Sequence, residues 1–368
     1  MAGLRRPAPG GRNATSEPRR DGRLGPMRPF PYVLGAAVLA ALPVAIPAPA
    51  AADDSSPSSF TIEDPRITES SGLAASRAHP GVYWTHNDSS DGAYVYAVDS
   101  RTGKTVARVE LRGIGRPRDV EAISIGPDGN VYVGDIGDNL GGTWPHVWIY
   151  RFPEPKVLKD TTVTATQFTV QYQGGPRNAE AMMVHPKTGR VYIASKSDDD
   201  PGLYEAPATL SPQGTNVFRR VADLDMEVTD GAFAPDGSRL VLRGYFSASE
   251  YRWTNGKPQA LKELKDEPGL PLQRQGESVT FTPDGGTLMY GTEGPGSKVT
   301  AVDLGGELLP DATAKKQKKD GDYSSRPDGK RSADEDEKNS TLLKAGLTFG
   351  AATVIFLGLR RLVRRRPR

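Results

Sequence analysis

Acidic side chains recur at one position of a repeated sequence pattern, at the start of an apolar stretch. If the fold brings them together, their like charges would raise one another's pKa values or require a cation. A cage of six to eight oxygen ligands suits Ca²⁺. Alternatively, these side chains accept hydrogen bonds from neighbouring backbone N–H groups and only fix the strands. The candidate Ca²⁺ ligands are Ser71 (or Glu69 beside it), Glu121, Glu180, Asp230 and Glu277.

A second group of polar residues follows the second apolar stretch of each copy. In an antiparallel pair the end of the second strand lies beside the start of the first, so both groups are expected on one face. A central cation with basic side chains around it could hold an anionic ligand such as a phosphate ester. Each residue taken alone also fits a solvated loop. The candidate ligand-binding residues are His86, Asn87, Asp88, Asp135, Asp138, Lys196, Arg243 and Glu293.

Pairs of short strands joined by tight turns must position these residues. The turns Gly126-Pro127-Asp128-Gly129, Ala234-Pro235-Asp236-Gly237 and Thr282-Pro283-Asp284-Gly285 each separate two stretches rich in β-branched and aromatic residues, as hairpins require. The pattern recurs about every 50 residues, which is typical of four-stranded propeller blades. The sequence therefore predicts an all-β, five-bladed β-propeller over residues 53–305. A six-bladed propeller, with a divergent blade in the longest interval, is the alternative.

The last copy of the pattern has a third strand, Lys298 to Asp303, but no fourth. A fourth strand is available at Phe60 to Glu63, before the first copy. Pairing of these two segments would close the ring and remove an exposed sheet edge. We therefore expect the two ends of the propeller to share one blade.

The segments on either side of the propeller predict its location. Residues 27–52 have a basic start, an apolar run and an Ala-rich end, as a secretory signal peptide does, and residues 1–26 are interpreted as disordered or as a wrongly assigned start. Residues 306–341 are polar and charged and predict a disordered linker. Residues 342–359 predict a single transmembrane helix, and the basic tail 360–368 is expected in the cytoplasm.

These segments predict an exported protein that is anchored in the plasma membrane with its propeller outside. The alternatives are an uncleaved N-terminal anchor and a buried C-terminal helix. The formal net charge is +2, but seven arginines lie in residues 1–28 and six in the last nine residues. The stretch between them is net acidic, which argues against a nucleic acid partner. Cysteine is absent, so a metal would need oxygen or imidazole ligands.

Four short motifs at the strand starts carry a resemblance to a known class of propellers. The motifs are Glu69-Ser70-Ser71-Gly72-Leu73, Asp119-Val120-Glu121-Ala122, Asn178-Ala179-Glu180-Ala181 and Gln275-Gly276-Glu277-Ser278. Their arrangement resembles that of the calcium-activated nucleotidases (apyrases) and, more broadly, of phytase-like, SdiA-regulated and exported actinobacterial propellers. The resemblance implies five blades and one axial Ca²⁺ held by acids and serines. Asp230-Gly231 departs from the pattern, and the nucleotide-binding residues have no match.

Two functions remain open from the sequence. The chain contains no nucleophile elbow, zinc-protease motif, phosphate-binding loop or dinucleotide fingerprint. This favours a membrane-anchored extracellular module that binds a small-molecule or protein ligand over one face, with an axial Ca²⁺. The alternative is a Ca²⁺-dependent phosphohydrolase of the nucleotidase or phytase-like kind. Whether the protein is an enzyme stays open.

Overall fold

The computed structural model describes residues 57–324, except residues 198, 255–261 and 265. The predicted signal peptide, transmembrane helix and basic tail lie outside the described residues, as do residues 1–26. Within the described part of the chain, no helix is both long and apolar enough to cross a membrane. The folded part is all-β apart from one short helical turn and one α-helix, which both follow the last strand.

The strands are short and separated by tight turns. They are β1 (Phe60–Thr61), β2 (Ser70–Ala75), β3 (Val82–Asn87), β4 (Tyr94–Asp99), β5 (Thr105–Arg112), β6 (Val120–Ile125), β7 (Asn130–Asp135), β8 (Val147–Pro153), β9 (Thr161–Thr164), β10 (Thr166–Tyr172), β11 (Ala179–Val184), β12 (Val191–Ser195), β13 (Gly202–Glu205), β14 (Thr215–Asp223), β15 (Asp230–Phe233), β16 (Arg239–Arg243), β17 (Ala248–Arg252), β18 (Lys262–Glu263), β19 (Gly276–Phe281), β20 (Thr287–Thr292) and β21 (Lys298–Asp303).

These strands form antiparallel arrays of four. The arrays are β2-β3-β4-β5, β6-β7-β8-β10, β11-β12-β13-β14, β15-β16-β17-β18 and β19-β20-β21-β1. A parallel pair, β10 with β14, joins the second and third arrays into one eight-stranded sheet, and β9 adds a parallel edge to β5. The inner strands β2, β6, β11, β15 and β19 each pack against the next, and β19 packs against β2. This arrangement is β-propeller-like.

The last array is completed by the first strand of the described chain. Phe60 pairs with Val299 and Thr61 with Lys298 in antiparallel register. The regular strand ends at Thr61, two residues earlier than predicted, but the backbone N–H of Ile62 still donates to the Ser297 carbonyl at 2.9 Å. The predicted pairing of the two ends is therefore present, and it covers the start of the edge of β21.

Apolar side chains fill the spaces between neighbouring arrays. Between the second and third arrays, for example, Ile149 and Phe168 of one pack with Met182 and Phe218 of the other, all fully buried. Every residue of β11 is buried, because an inner strand is covered on both faces. Turn chemistry is as predicted: Gly237 has φ 70°, and its N–H donates to the Ala234 carbonyl at 2.8 Å.

The structure differs from the predicted disordered linker over residues 306–324. A 3₁₀ turn spans Gly306–Leu308, and helix α1 spans Asp311–Ser324. Leu308 and Leu309 are buried against the fourth and fifth arrays. The Asp236 carboxylate accepts the Ala312 N–H at 2.8 Å, near the start of α1. The lysine-rich composition predicted disorder, but two buried leucines and this hydrogen bond fix the segment to the body.

Candidate functional site

The candidate site lies at one end of the inner strands. We call this surface the acidic face: β2, β6, β11, β15 and β19 begin there, and their partners β3, β7, β12, β16 and β20 end there. Asp230, for example, pairs directly with Arg243, and Val120 with Asp135. The opposite surface, formed by the turns that follow the inner strands, is called the turn face. Both predicted groups of residues therefore belong to the acidic end of the strands.

Irregular register at the strand starts sets the direction of the acidic side chains. The pairing shifts by one residue at Glu121, between Val120 and Ala122, and shifts in the same way at Glu180 and Glu277. A similar shift lies between Ser70 and Leu73 in β2. Such β-bulges re-aim the side chain of the extra residue. The strand β15, which begins with Asp230, pairs with β16 in regular register.

Three carboxylates come together at this face. Asp88, Asp119 and Glu121 each offer an oxygen atom, and these oxygens all lie within 4.8 Å of one another. The Ser71 hydroxyl donates to Glu121 Oε2 at 2.9 Å, and Asn139 Nδ2 donates to Asp119 Oδ2 at 3.2 Å. Asp88 Oδ1 is buried and has no hydrogen-bond partner among the described residues. We call these three residues the carboxylate cluster.

The local backbone fits closely around the cluster. The backbone N–H of Gly137 donates to the Asp119 carbonyl at 3.1 Å. A Cβ atom on Gly137 would lie 2.5 Å from the Asp119 carboxylate, so a larger residue would displace that side chain. The Val120 N–H donates to the Asp88 carbonyl at 2.9 Å, which ties the end of β3 to the start of β6. Two neighbouring arrays therefore position the cluster.

The cluster resists full ionisation. Burial, followed by the hydrogen bond and charge of Asp119, raises the pKa of Asp88 to about 8. Burial, followed by the charges of Glu180, Asp88 and Asp119, raises the pKa of Glu121 well above its usual range, while the bond from Ser71 acts in the opposite direction. The charge of Asp88 acts on Glu121, so the protonation of these two carboxyls is linked. A bound cation would reverse the balance and favour all three carboxylates.

A lysine and a tyrosine occupy the next position around the face. Lys196 Nζ contacts Glu180 Oε1 at 2.5 Å and the Tyr245 hydroxyl at 2.6 Å. Burial raises the pKa of Glu180 to about 7, although the charge of Lys196 lowers it. Burial opposes the charge of Lys196, but Glu180 and Tyr245 raise its pKa overall. Glu180 is therefore an ion-paired neighbour of the cluster, with one oxygen still unpartnered within the described structure.

Glu277 and Glu293 lie further around the same face. Burial, followed by the charge of Glu293, raises the pKa of Glu277 to about 7. Glu293 accepts a hydrogen bond from Gln275 Nε2 at 2.5 Å. The structure does not bring either residue into the carboxylate cluster. They extend the negative charge of the face, which Lys196 only partly offsets.

Asp230, predicted as a metal ligand, has a different position. Its Oδ1 accepts the Gly231 N–H at 2.7 Å, and its Oδ2 accepts the Val279 N–H at 2.8 Å. The side chain is fully buried and connects β15 to β19. The β15 start has no bulge, and its carboxylate accepts backbone N–H groups instead of joining the cluster. For this residue the structure matches the alternative that acids fix the strands.

Several predicted ligand-binding residues instead hold loops in place. Asn87 Oδ1 accepts the N–H groups of Thr68 and Glu69 at 2.9 and 3.0 Å. Asp135 accepts the Asp119 N–H at 2.9 Å and the Tyr150 hydroxyl at 2.5 Å. Asp138 accepts the Trp144 N–H at 2.6 Å. These three side chains are buried, and their hydrogen bonds hold the segments around the carboxylate cluster.

His86 and Arg243 are also unsuited to receive a surface ligand, because both are buried. Arg243 is 0% exposed and donates to the carbonyls of Ser278 and Gly291 at 2.7 and 2.9 Å. Burial lowers the pKa of His86 to about 4, so its ring is neutral. A Cβ atom on Gly72 would lie 2.7 Å from His86 Nε2, which shows how tightly the ring is enclosed. Of the predicted basic residues, only Lys196 remains near the surface.

Sequence reasoning did not identify Asp119 and Tyr245 as members of the site. Asp119 was not among the predicted site residues, although its spacing from Glu121 was a usable signal: residues two apart at a strand start can share a face. Asp88 was predicted to bind a ligand rather than a metal. Tyr245 follows β16 within a loop, and no sequence pattern indicates its contact with Lys196.

Comparison with known proteins adds little to this site. No protein-family model matches the chain, and no curated protein shows significant sequence similarity to it. Among solved structures, a chain of the mitotic checkpoint complex is similar at 15% identity and TM-score 0.36, over 64% of this chain and 63% of that chain. This chain therefore spans less than two thirds of that protein's length.

Two bacterial structures are similar to a comparable degree. A proposed 6-phosphogluconolactonase from Bacteroides uniformis has 12% identity and TM-score 0.37, over 65% of this chain and 68% of that chain. A proposed oxidoreductase (glucose dehydrogenase) from Thermus thermophilus has 16% identity and TM-score 0.38, over 65% and 84%. Likenesses this weak support no conclusion about function, which has to come from the site itself.

Proposed function

We propose that this chain is a five-bladed β-propeller that binds Ca²⁺ on its acidic face and uses that face to hold a ligand or partner. The blade number is supported by the inner strands β2, β6, β11, β15 and β19, which contact one another in a cycle. Each of these strands begins an antiparallel array of four. The strand β1 completes the last array, so no further blade is needed to close the ring.

The observation that carries the metal proposal is the carboxylate cluster. Oxygens of Asp88, Asp119 and Glu121 lie within 4.8 Å of one another, and Asp88 Oδ1 has no partner within the described structure. Two unit charges 4 Å apart repel by about 4 kcal/mol at an effective dielectric of 20, so the cluster strongly favours a cation. Buried carboxylates, supported by carbonyl and water oxygens, suit Ca²⁺ better than Mg²⁺, which needs a small octahedral cage.

The rim of the acidic face supports a binding role. Three large apolar side chains are strongly exposed on loops of this face: Leu140 at 72%, Phe246 at 87% and Leu272 at 106%. Exposed apolar residues around a polar centre are typical of contact surfaces. A phosphohydrolase stays the second candidate, to be tested by activity.

We further propose that the protein is exported and anchored by residues 342–359, as the sequence predicts. The chain leaves the body at the turn face, because the start of α1 bonds to Asp236 and Thr313 donates to the Asp284 carbonyl at 2.6 Å. The acidic face then lies at the end of the body remote from the exit of the chain. Protease treatment of intact cells should degrade the propeller but spare the basic tail; protection of the propeller would contradict this topology.

Calcium titration of the full-length protein by calorimetry tests the metal proposal. We expect one Ca²⁺ per chain, with Mg²⁺ binding at least about tenfold more weakly. Asp119→Asn and Glu121→Gln should each weaken Ca²⁺ binding by about tenfold or more, since each removes a charged ligand. The matched control is Asp284→Asn on the turn face, which should bind Ca²⁺ like the unmodified protein.

Two outcomes would contradict parts of the proposal. An unmodified protein that binds no Ca²⁺ would exclude the metal site and leave the cluster as a proton-sharing group. Turnover of nucleoside di- or triphosphates or of phytate that requires Ca²⁺ and is lost in Glu121→Gln would replace the binding role by the phosphohydrolase. Asp230→Asn tests whether Asp230 is a Ca²⁺ ligand, as the sequence predicted, or only connects strands. If it only connects strands, the variant should be less stable but still bind one Ca²⁺ per chain.

A further inference from the structure

A cavity opens at the other end of the inner strands, on the turn face. Its volume is about 360 Å³, within the range of small-molecule sites. All five inner strands or the turns that follow them contribute to its wall, so it surrounds the axis of the ring. Most of its lining side chains are apolar, among them Leu73, Ile123, Phe233 and Phe281, with Pro186, Pro235 and Pro283 from the turns, while polar side chains and backbone groups also face the cavity. None of the carboxylate cluster residues lines it.

Two polar groups of the cavity wall are available to a ligand. Arg77 is solvent-exposed at the mouth and has no hydrogen bond or ion pair with a described residue, and the hydroxyl of the buried Thr280 has no hydrogen bond among the described residues. The two other side-chain hydroxyls of the wall already form hydrogen bonds. Ser76 donates to Glu154 Oε1 at 2.5 Å, and Ser124 Oγ accepts the Val184 N–H at 3.1 Å. The free guanidinium and hydroxyl can therefore contact a ligand.

Acidic residues near Arg77 do not neutralise it by direct contact. The charge of Glu154 acts on Arg77, but its carboxylate already accepts bonds from Ser76 Oγ, the Ala78 N–H at 3.2 Å and Trp84 Nε1 at 2.8 Å. Asp128 also acts on Arg77 through its charge, while its own oxygens bond to Asn130 and Tyr132. Neither carboxylate forms an ion pair with Arg77 in the described structure.

We propose that this cavity is a second ligand site, which binds an organic anion with an apolar body. The apolar wall would enclose the body of the ligand, and Arg77 would pair with its carboxylate at the mouth, with Thr280 as a further hydrogen-bond partner. Arginine pairs with a carboxylate through two parallel N–H donors, which gives the site preference for anions over neutral or cationic molecules of equal length. This site is independent of the calcium proposal.

Three probes of equal chain length test the charge preference on the full-length protein. Decanoate should bind in calorimetry, decanol should bind at least about tenfold more weakly, and decyltrimethylammonium should not bind measurably. Arg77→Gln should reduce decanoate affinity by about tenfold or more and leave decanol unchanged, because the lost interaction is with the charge. The matched control is Arg101→Gln, an exposed arginine outside the cavity wall, which should behave like the unmodified protein.

A second pair of variants tests the position of the apolar body. Ala75→Phe and Ala232→Phe each add a large side chain to the cavity wall and should abolish binding of both decanoate and decanol. Circular dichroism and urea denaturation of every variant report whether the fold is intact. Equal affinities for the three probes, or decanoate binding that persists in Arg77→Gln, would overturn the proposal. So would absence of decanoate binding in the folded unmodified protein.

Discussion

Carboxylates lie at both ends of the inner strands, but those on the turn face accept hydrogen bonds from their own turns, whereas some on the acidic face keep unpartnered oxygens. On the turn face, Asp284 accepts the Gly286 N–H and the Thr282 hydroxyl, and Asp236 accepts the N–H groups of Ser238 and Ala312. On the acidic face, Asp88 and Glu180 each keep a buried oxygen with no partner among the described residues.

This difference separates structural acids from candidate functional ones. A turn aspartate is satisfied by donors within its own turn, so local sequence determines its role. A carboxylate without a partner costs free energy unless a proton, a cation or a ligand compensates for it. Among the described residues, Asp88 and Glu180 keep such oxygens on the acidic face, where they lie near further acids; Glu250, whose oxygens also lack hydrogen bonds, instead lies beside the Arg239 guanidinium at 3.8 Å. The acidic face is therefore the place where we expect a cation or ligand to bind.

We expect the largest effect on stability from replacement of Arg243, which is buried beneath the acidic face. Arg243→Met removes the donors to the Ser278 and Gly291 carbonyls and leaves the nearby acids without this positive charge. We expect the free energy of unfolding to fall by about 3–5 kcal/mol. Urea denaturation measures the loss. The exposed Arg219→Met should change stability by less than about 0.5 kcal/mol; a similarly small change in Arg243→Met would contradict the structural role of Arg243.

Calcium should stabilise the protein through the acidic face alone. At a free Ca²⁺ concentration of one hundred times the Kd, binding to the folded state adds about 2.7 kcal/mol to the free energy of unfolding. Glu121→Gln should lose this increase, whereas Asp236→Asn on the turn face should keep it. Melting temperatures with chelator and with Ca²⁺ measure both responses. If Ca²⁺ no longer stabilises Asp236→Asn but still stabilises Glu121→Gln, the ion binds on the turn face and not on the acidic face.

The metal-free protein should become less stable as the pH rises from about 4 to about 8. The folded-state pKa values are about 8 for Asp88 and about 7 for Glu180 and Glu277, above their ordinary values of 3.8 and 4.5. Between those limits the folded state binds more protons than the unfolded state, so rising pH favours unfolding. We expect a loss of at least about 2 kcal/mol, since one pKa unit corresponds to about 1.4 kcal/mol, measured by denaturation in chelator. Saturating Ca²⁺ should make this profile less steep but leave the contribution of Glu250, whose pKa burial also raises to about 8 away from the cluster. If Ca²⁺ leaves the slope unchanged, the groups that gain the protons are not ligands of the ion.

The smallest expected effect is that of a turn aspartate. Asp284→Ala removes the acceptor for the Gly286 N–H and the Thr282 hydroxyl, both near solvent. We expect a loss of about 0.5–1.5 kcal/mol that is independent of calcium and nearly constant between pH 6 and pH 8. Denaturation at several pH values measures it. A loss that depends on calcium would show that the two faces are coupled.

The sequence by itself determined the strands, their turns and the pairing of Phe60 and Thr61 with the last array. Alternating apolar residues and the Pro-Asp-Gly turns act over a few residues, so their outcome can be read locally. The same reasoning placed Glu121 and Asp230 at equivalent strand starts. It also interpreted the polar composition after residue 305 as disorder, which the buried Leu308 and Leu309 overrode.

Only the tertiary structure decided which acids meet. Glu121 stands at a bulge and meets Asp88 and Asp119, whereas Asp230 stands in regular register and its carboxylate accepts backbone N–H groups. Glu180 and Glu277 have the same bulge as Glu121 but lie outside the cluster, so the packing of neighbouring arrays also decides. A one-residue shift in pairing is invisible in the spacing of the repeats, because it depends on how two strands fit together. Burial of His86 and Arg243 was decided in the same way, since the neighbouring arrays, and not the residues themselves, exclude the solvent.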